Sequence, residues 1–482
     1  MEKKTSISKN YIYNLCYQIL IIIVPIITTP YLSRVLGVEQ IGVHSYVNSI
    51  VSCFILFGSL GITLYAQREI AYVQNNIEAR SKIFFEMIII RFITVSLSII
   101  IYYFTCILNS KYSIYYIIFL IEIIANCLDI SWFLQGLEQF KKTVFRNTFV
   151  KVLTTILIFC FIKKPDDLYK YILIHSISVL LGNFTLWYYI PKYIIKVEVK
   201  KLEIKKHIKP LIILFIPQIA LQIYMVLDKT MMGQLVANKA EVGYYEQSQK
   251  IIRLLITIIT SLGTVMVPRI ANMFANNNKE KIKFYMMKSF DFILFLSIPM
   301  MFGLIVISDY FVPLFFGNGY EKVSILLRVI SPMLIIIGLN NVTGVQFLLP
   351  TKKQKEFTIA VIIGAIVNFI LNLIFIPIWK SVGASLTSLF AEIIVLIIEL
   401  YCCKKYIDIK EIFKLSTKKI LAGLGMFILV AIIPYVFNSI LTIIIKIVIG
   451  IIIYLVLLWI MRDQFVYYLF EKMNNKFIKF KC

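Results

Sequence analysis

Uninterrupted apolar runs of twenty residues or more recur from one end of this 482-residue chain to the other. A helix rises about 1.5 Å per residue and a bilayer's hydrocarbon core is about 30 Å thick, so about twenty apolar residues make one crossing. Soluble chains break their apolar residues into shorter segments and carry about a quarter charged residues. Here 60% are hydrophobic and only 16% charged. The reading is an all-α polytopic membrane protein of about 14 transmembrane helices. They lie near 11–33, 43–66, 83–108, 113–135, 143–162, 168–190, 210–232, 244–268, 284–308, 323–349, 356–378, 382–403, 416–436 and 440–461.

Fifty Lys and Arg stand against 26 Asp and Glu, a net charge of +24. In a soluble chain that excess would suggest nucleic acid; its placement excludes that here. On the side holding the N-terminus lie 36 of the 50 cations, with 10 on the other side and 4 inside spans. This positive-inside pattern puts both termini in the cytoplasm. A codon bias toward Ile, Lys, Asn, Tyr and Phe raises the lysine count but cannot sort lysines by side. The richest segments, 192–209 and 404–419, read as linkers at the anionic inner leaflet. The cysteines fall inside spans or near the cytoplasmic face, so reduced thiols are expected. The apolar run after Lys3, Lys4 and Lys9 is too long for a signal peptide and lacks a small-residue cleavage site, so it reads as a retained first span.

A weak internal repeat organises the spans. VPIITTPYLSRVLG in the first span leads through VEQIG to VHSYVNSI; IPQIALQIYMVLDKTMMG in the seventh leads to VGYYEQSQKI. Pro25 then corresponds to Pro217, Gly37 to Gly233 and Gly42 to Gly243. Each helix also carries an i, i+4 amide pair on one face, Asn14 with Gln18 and Gln218 with Gln222. Repeats an even number of spans apart share an orientation, an arrangement common in secondary transporters. The expected organisation is an N-terminal lobe at 1–195, a cytoplasmic linker at 196–209, a C-terminal lobe at 210–405, and two further spans with a basic tail at 406–482.

Ionisable groups at bilayer depth cost several kcal/mol unless they face a cavity or a partner. By depth, Arg91 and Arg253 lie near the midplane, as do Glu122 and Glu392; Asp228, Asp129, Asp291 and Glu86 lie nearer the surfaces. The two arginines read as cavity cations for an anionic group, the carboxylates as polar cavity or ion-coupling groups. Bridging between helices is the competing role. Lys446 is expected to snorkel to the outer interface. Prolines within spans (Pro25, Pro30, Pro217, Pro299, Pro332, Pro434) are expected to kink them, and the pairs Asn340–Asn341 and Asn368–Asn372 to bind hydroxyls or tie helices together.

Catalytic signatures are missing. The chain has three histidines, His44, His175 and His207, and no HExxH, GxSxG, Walker loop or DxD; Asp166 and Asp167 read as a solvated turn. A transporter rather than an enzyme is expected, without cofactor or metal. Its energy would come from Na⁺ or H⁺, the membrane potential or the substrate gradient.

Several motifs carry a resemblance: PYLSRVLGVEQIG at 30–42, AQREIA at 66–71, WFLQGLEQF at 132–140, VGYYEQSQKI at 242–251 and GASLTSLFAE at 383–392. In their order and over the whole chain they resemble the polysaccharide-transporter branch of the multidrug/oligosaccharidyl-lipid/polysaccharide superfamily, the repeat-unit flippases of O-antigen and capsule synthesis. The resemblance implies two six-helix lobes around a central cavity plus two C-terminal helices. It implies movement of a polyprenyl-diphosphate-linked oligosaccharide to the outer leaflet, alongside a polymerase and glycosyltransferases, by a monomer. A diphosphate calls for arginine's planar fork. Arg34, in LSRVLG, and Arg68, in AQREIA, are therefore candidates for exit and entry. An ion-coupled multidrug exporter of the same superfamily, or a membrane-embedded polymerase, are the alternative readings.

Overall fold

The computed structural model describes the backbone of residues 7–108, 110–436 and 438–467, and side chains from residue 19 within those ranges apart from Val199, Pro217, Ala220, Leu221 and Ile223. Asn14 and Gln18 lie outside the described side chains. Among the described residues the chain is all-helical. Among these same residues nine helices are long and apolar enough to cross a membrane, or up to eleven if each bent pair counts as one span. The polytopic all-α expectation therefore stands as the fold.

Two compact units divide the chain, Met1–Gly243 and Tyr244–Cys482. The first contains α1 (Ile7–Ser59), α2 (Ile62–Tyr72), α3 (Ile77–Tyr102), α4 (Ser113–Cys127), α5 (Ser131–Gly136), α6 (Phe140–Phe161), α7 (Leu168–Trp187) and α8 (Lys205–Leu235). In α1, which is 53 residues long, the helix breaks at Gly37, whose φ of 77° and ψ of 167° suit only glycine without strain. A second break follows at Leu60 and Gly61, both with positive φ, inside the segment expected to run unbroken from 43 to 66.

Of the four glycines matched by the repeat, Gly42, Gly233 and Gly243 are points of close approach within this unit, while a Cβ on Gly37 would meet nothing within 4 Å. A Cβ on Gly42 would lie 1.8 Å from the Lys239 carbonyl oxygen, one on Gly233 1.9 Å from the Tyr46 ring, and one on Gly243 2.2 Å from the Val38 carbonyl oxygen. Ser49 and Thr230 share a hydrogen bond of 2.8 Å along the same contact. Small residues let helix backbones meet closely where lipid offers no hydrophobic driving force. This contact groups α8 with the first unit, so the expected lobe boundary at 196–209 falls inside it. That linker is itself anchored: Arg80 donates to the Tyr193 carbonyl at 2.7 Å and the Ile195 amide to Ser81 at 3.0 Å.

The boundary between the units falls inside α9 (Ala240–Thr260). After it come α10 (Gly263–Ala275), α11 (Lys279–Phe316), α12 (Glu321–Ile330), α13 (Met333–Asn340), α14 (Gln354–Cys403), α15 (Ile409–Ile432) and α16 (Ser439–Ile460). The pairs α9/α10 and α12/α13 each bend by 44°, the second at Ser331 and Pro332, where a proline amide cannot continue the ladder. In α14, Lys380 (φ 53°) interrupts the 50-residue run between two expected spans. Thr387, beyond that break, donates to Asn372, which bonds Asn368 at 3.0 Å, so this asparagine pair ties the two arms of α14 together.

Candidate functional site

The four cations expected to serve an anionic cargo have different surroundings. Arg91 is 1% exposed. Its guanidinium donates to Asn126 at 3.1 Å and to the Asp129 carbonyl, with the Asp129 carboxylate 3.9 Å away. Asn126 in turn donates to the Ile55 carbonyl at 3.0 Å. The side chain therefore closes the carbonyl end of α4, the negative pole of its dipole, and ties α1, α3 and α4 together. A cation facing a water-filled cavity is not what this geometry builds. Depth along a span was legible in the sequence; rotation about the helix axis was not.

Arg253 differs. It is 44% exposed, 3.3 Å from Glu246 two turns earlier, and its Nε donates to the Gln249 carbonyl at 3.3 Å. Arg68 is likewise open, 3.0 Å from Glu69 and 5.4 Å over the Tyr65 ring. Arg34, on the last turn before the Gly37 break, is exposed.

The carboxylates meet hydrogen-bonding partners. Glu122 on α4 accepts from His175 Nδ1 at 2.8 Å and from Ser176 Oγ at 3.0 Å, both on α7. Glu392 accepts from Asn340 at 2.6 Å. Asp228 and its neighbour Lys229 are buried. Gln218 donates to the Leu214 carbonyl at 3.2 Å, and Gln222 is half-buried. Lys446 does not snorkel; it is buried and donates to the Val430 carbonyl at 3.2 Å.

Two spaces stand out that no single motif announced. In the first unit a cavity of about 750 Å³ is lined by Tyr46, Tyr112, Tyr116, Lys111, Lys239 and Gln234, with hydroxyls from Thr105, Ser110 and Thr230. Its polar lining comes largely from helix ends and from the connections before α4 and after α8. Lys239 is anchored by the Gly233 and Val236 carbonyls and lies 5.2 Å from the Tyr46 ring. Burial, reinforced by the neighbouring Lys111 ammonium, pulls its amine below the ordinary lysine range.

In the second unit a groove of about 490 Å³ runs among α9, α11, α15 and α16, lined by Ile251, Phe295, Pro299, Met426 and Ile451, with Lys446 at its side. Its wall is almost entirely apolar.

Buried polar clusters elsewhere also escaped the sequence reading. His207 joins Tyr65 at 2.8 Å to Glu86 at 2.7 Å. Lys419 is clamped between Asp291 at 2.6 Å and Asp463 at 2.9 Å. Such fully paired charges hold helices together in a low-dielectric interior. Asp167, expected in a solvated turn, instead accepts from the amides of Lys163 and Lys164 and pairs with Lys170 at 2.8 Å. The Lys170 pairing first, then those amides, hold its carboxyl down to about 2. No group of three or more His, Cys, Asp and Glu side chains placed to hold a metal occurs among the described residues.

An all-helical membrane fold with a polar cavity in one unit and an apolar groove in the other defines a polytopic transporter. The family model described as polysaccharide biosynthesis protein matches residues 7–274, more than half of the chain, and the chain belongs to that family, within the multidrug/oligosaccharidyl-lipid/polysaccharide superfamily. A second model, MatE, matches residues 210–374. The chain is similar to a protein of Escherichia coli (strain K12) named "Putative O-antigen transporter", 23% identical over 397 residues that cover 81% of this chain and 95% of that one. Over 143 residues it is 26% identical to "Lipid II flippase MurJ" of Bacillus subtilis (strain 168), covering 29% of this chain and 26% of that one. A solved structure titled "Lipid II flippase MurJ, inward closed conformation" shares the fold, with a TM-score of 0.70 at 20% identity, covering 94% of this chain and all of that one.

Proposed function

We propose that this protein moves a polyprenyl-diphosphate-linked oligosaccharide from the inner to the outer leaflet of the cytoplasmic membrane, by alternating access, for surface polysaccharide synthesis. The observation that carries this reading is the tyrosine- and lysine-lined cavity of the first unit, in a chain whose family and relatives concern polysaccharide and O-antigen. Tyrosine faces take the C–H surfaces of sugar rings, hydroxyls and Gln234 meet sugar hydroxyls, and Lys111 and Lys239 supply charge for phosphate. The apolar groove of the second unit has the chemistry of a prenyl chain, whose burial contributes about 0.8 kcal/mol per methylene.

Arg34 and Arg68 in the first unit and Arg253 in the second supply further cations. Arg91 holds the scaffold. With both termini in the cytoplasm, as the sorting of cations supports, outward movement of two negative charges is favoured by about 4.6 kcal/mol per 100 mV. The chain acts without catalysis of its own, alongside the glycosyltransferases and polymerase that make and consume its cargo.

The test is the leaflet location of the lipid-linked oligosaccharide in cells with and without the protein, read by an impermeant sugar probe. Accumulation on the cytoplasmic leaflet in the deletion strain is expected. An unchanged distribution with no redundant flippase overturns the reading. A drug exporter is the second reading, favoured by the open Arg253–Glu246 pair and by Glu392, and it predicts drug hypersensitivity in that strain instead.

A further inference from the structure

The pair Glu122–His175 differs from the sealed carboxylate–histidine pair Glu86–His207. Glu122 is 8% exposed, whereas the His175 side chain is 49% exposed. Ile177, Leu181 and Phe184 of α7, with Tyr188 just after its end, are exposed and share one stripe at 100° per residue, while the exposed Tyr169 stands apart from it at the start of the helix. His175 lies roughly 150° from the centre of that stripe. It therefore lies on the side of α7 that carries the buried Leu168, Ile172 and Leu186 and packs on α4 and α6 within the first unit, away from the exposed stripe. By contrast His207, which bonds Glu86 and Tyr65 through both ring nitrogens, is sealed.

We infer that Glu122 and His175 form a proton-binding site reached from the interior of the first unit, and that its occupancy is coupled to transport. With Nδ1–H donated to Glu122, the lone pair of Nε2 is the basic site. A proton arriving through the accessible space bonds to Nε2 and makes imidazolium against carboxylate, so the pair goes from one negative charge to none. Loss of that proton reverses the step. Ser176 holds the carboxylate in place throughout.

The titratable groups that act on the pair are Lys151 from α6, on His175, and Tyr102 from α3, on Glu122; from α1, His44 meets the rings of Tyr171 on α7 at 5.0 Å and Phe119 on α4 at 5.8 Å. Further along, Arg146 of α6 is held by Asn183, and Asp167 by Lys170. Glu122 is the carboxylate that His175 meets. A charge change at this pair is felt on α4, α6 and α7 at once, since α7 packs directly on both other helices.

The coupling rests on the flippase reading; the proton site does not, and two measurements separate them. First, the full chain is labelled with nitrogen-15 histidine in lipid nanodiscs and titrated from about pH 5 to 8. The chain's three histidines make assignment by H175Q direct. The His175 signal is expected to titrate in that window and to shift its midpoint in E122Q and, less, in S176A. A His175 signal insensitive to pH overturns the site, and unchanged midpoints in both variants overturn the pairing.

Second, the protein is reconstituted in phosphatidylethanolamine–phosphatidylglycerol vesicles carrying undecaprenyl-diphosphate-N-acetylglucosamine, with an impermeant lectin reporting its leaflet. A pH gradient of one unit is expected to shift the leaflet ratio about tenfold per coupled proton in the wild type, while E122Q and H175N equilibrate the lipid without responding. Equilibration by the wild type regardless of the gradient overturns the coupling and leaves the flippase reading intact. No redistribution in any vesicle overturns the flippase reading for this lipid and the coupling with it, and the histidine titration alone then decides the proton site.

Discussion

The cavity of the first unit and the groove of the second are built from helices of much the same apolar composition, yet one is lined by tyrosines and lysines and the other by isoleucine, phenylalanine and methionine. The difference lies in which part of each helix faces the space. The cavity takes its lining largely from helix ends and connections, where Lys111 is exposed and the buried Lys239 is held by the Gly233 and Val236 carbonyls. The groove takes its lining largely from mid-helix positions of α11 and α16, where the Lys446 charge is held by the Val430 carbonyl and lies 5.2 Å from the Tyr310 ring. The first space thus has the chemistry that the proposed sugar phosphate calls for, and the second that of a prenyl chain.

The largest expected effect breaks that comparison on the apolar side. Gly303 lines the groove, and a Cβ there would meet nothing within 4 Å, so G303W fills the groove without displacing backbone. Excluding four methylenes at about 0.8 kcal/mol each costs about a hundredfold in affinity for a lipid-linked cargo. Affinity for the soluble sugar diphosphate should not change. On the polar side, K111Q should weaken both ligands about tenfold, the ordinary contribution of one hydrogen bond to a charged group. Equal losses of the two ligands in G303W would remove the division of labour between the units.

A second contrast sets Arg91 against Arg253. R91Q removes the buried guanidinium that bonds Asn126 and the Asp129 carbonyl and faces the Asp129 carboxylate, so it should lower stability by about 3 kcal/mol and reduce the amount of folded protein, with transport per folded molecule retained. R253Q should leave the melting temperature unchanged and lower transport about tenfold. Thermal unfolding in nanodiscs beside a leaflet assay normalised to folded protein checks both, and normal stability of R91Q would return that arginine to the transport path.

The smallest effect is expected at the connection before α7. The Asp167 carboxyl is held down to about 2 by Lys170 and backbone amides, from an ordinary value of 3.8. Its contribution to stability is therefore complete above the ordinary aspartate range and disappears as pH falls toward about 2. D167N should lower the melting temperature slightly at neutral pH, with the difference from wild type vanishing at the acid end. A constant difference across that range would show that the asparagine disrupts the turn by shape rather than charge.

Much of the fold was legible before any coordinates. Apolar run length determined that the chain is a bundle of membrane helices, because a bilayer accepts little else, and the matched glycines at 42 and 243 marked a real point of close approach. What the sequence could not carry was the angular position of each polar residue. Arg91 and Arg253 look alike as arginines about eight or nine residues into a span, and only packing turned one onto a helix end and left the other open. The same holds for Glu122 and His175, 53 residues apart, whose meeting depends on α4 lying against α7. Hydrophobicity along a chain reports depth in the membrane, since transfer free energy adds residue by residue. The assembly of a cavity depends on which faces several helices turn toward one another, and that is decided only when they pack.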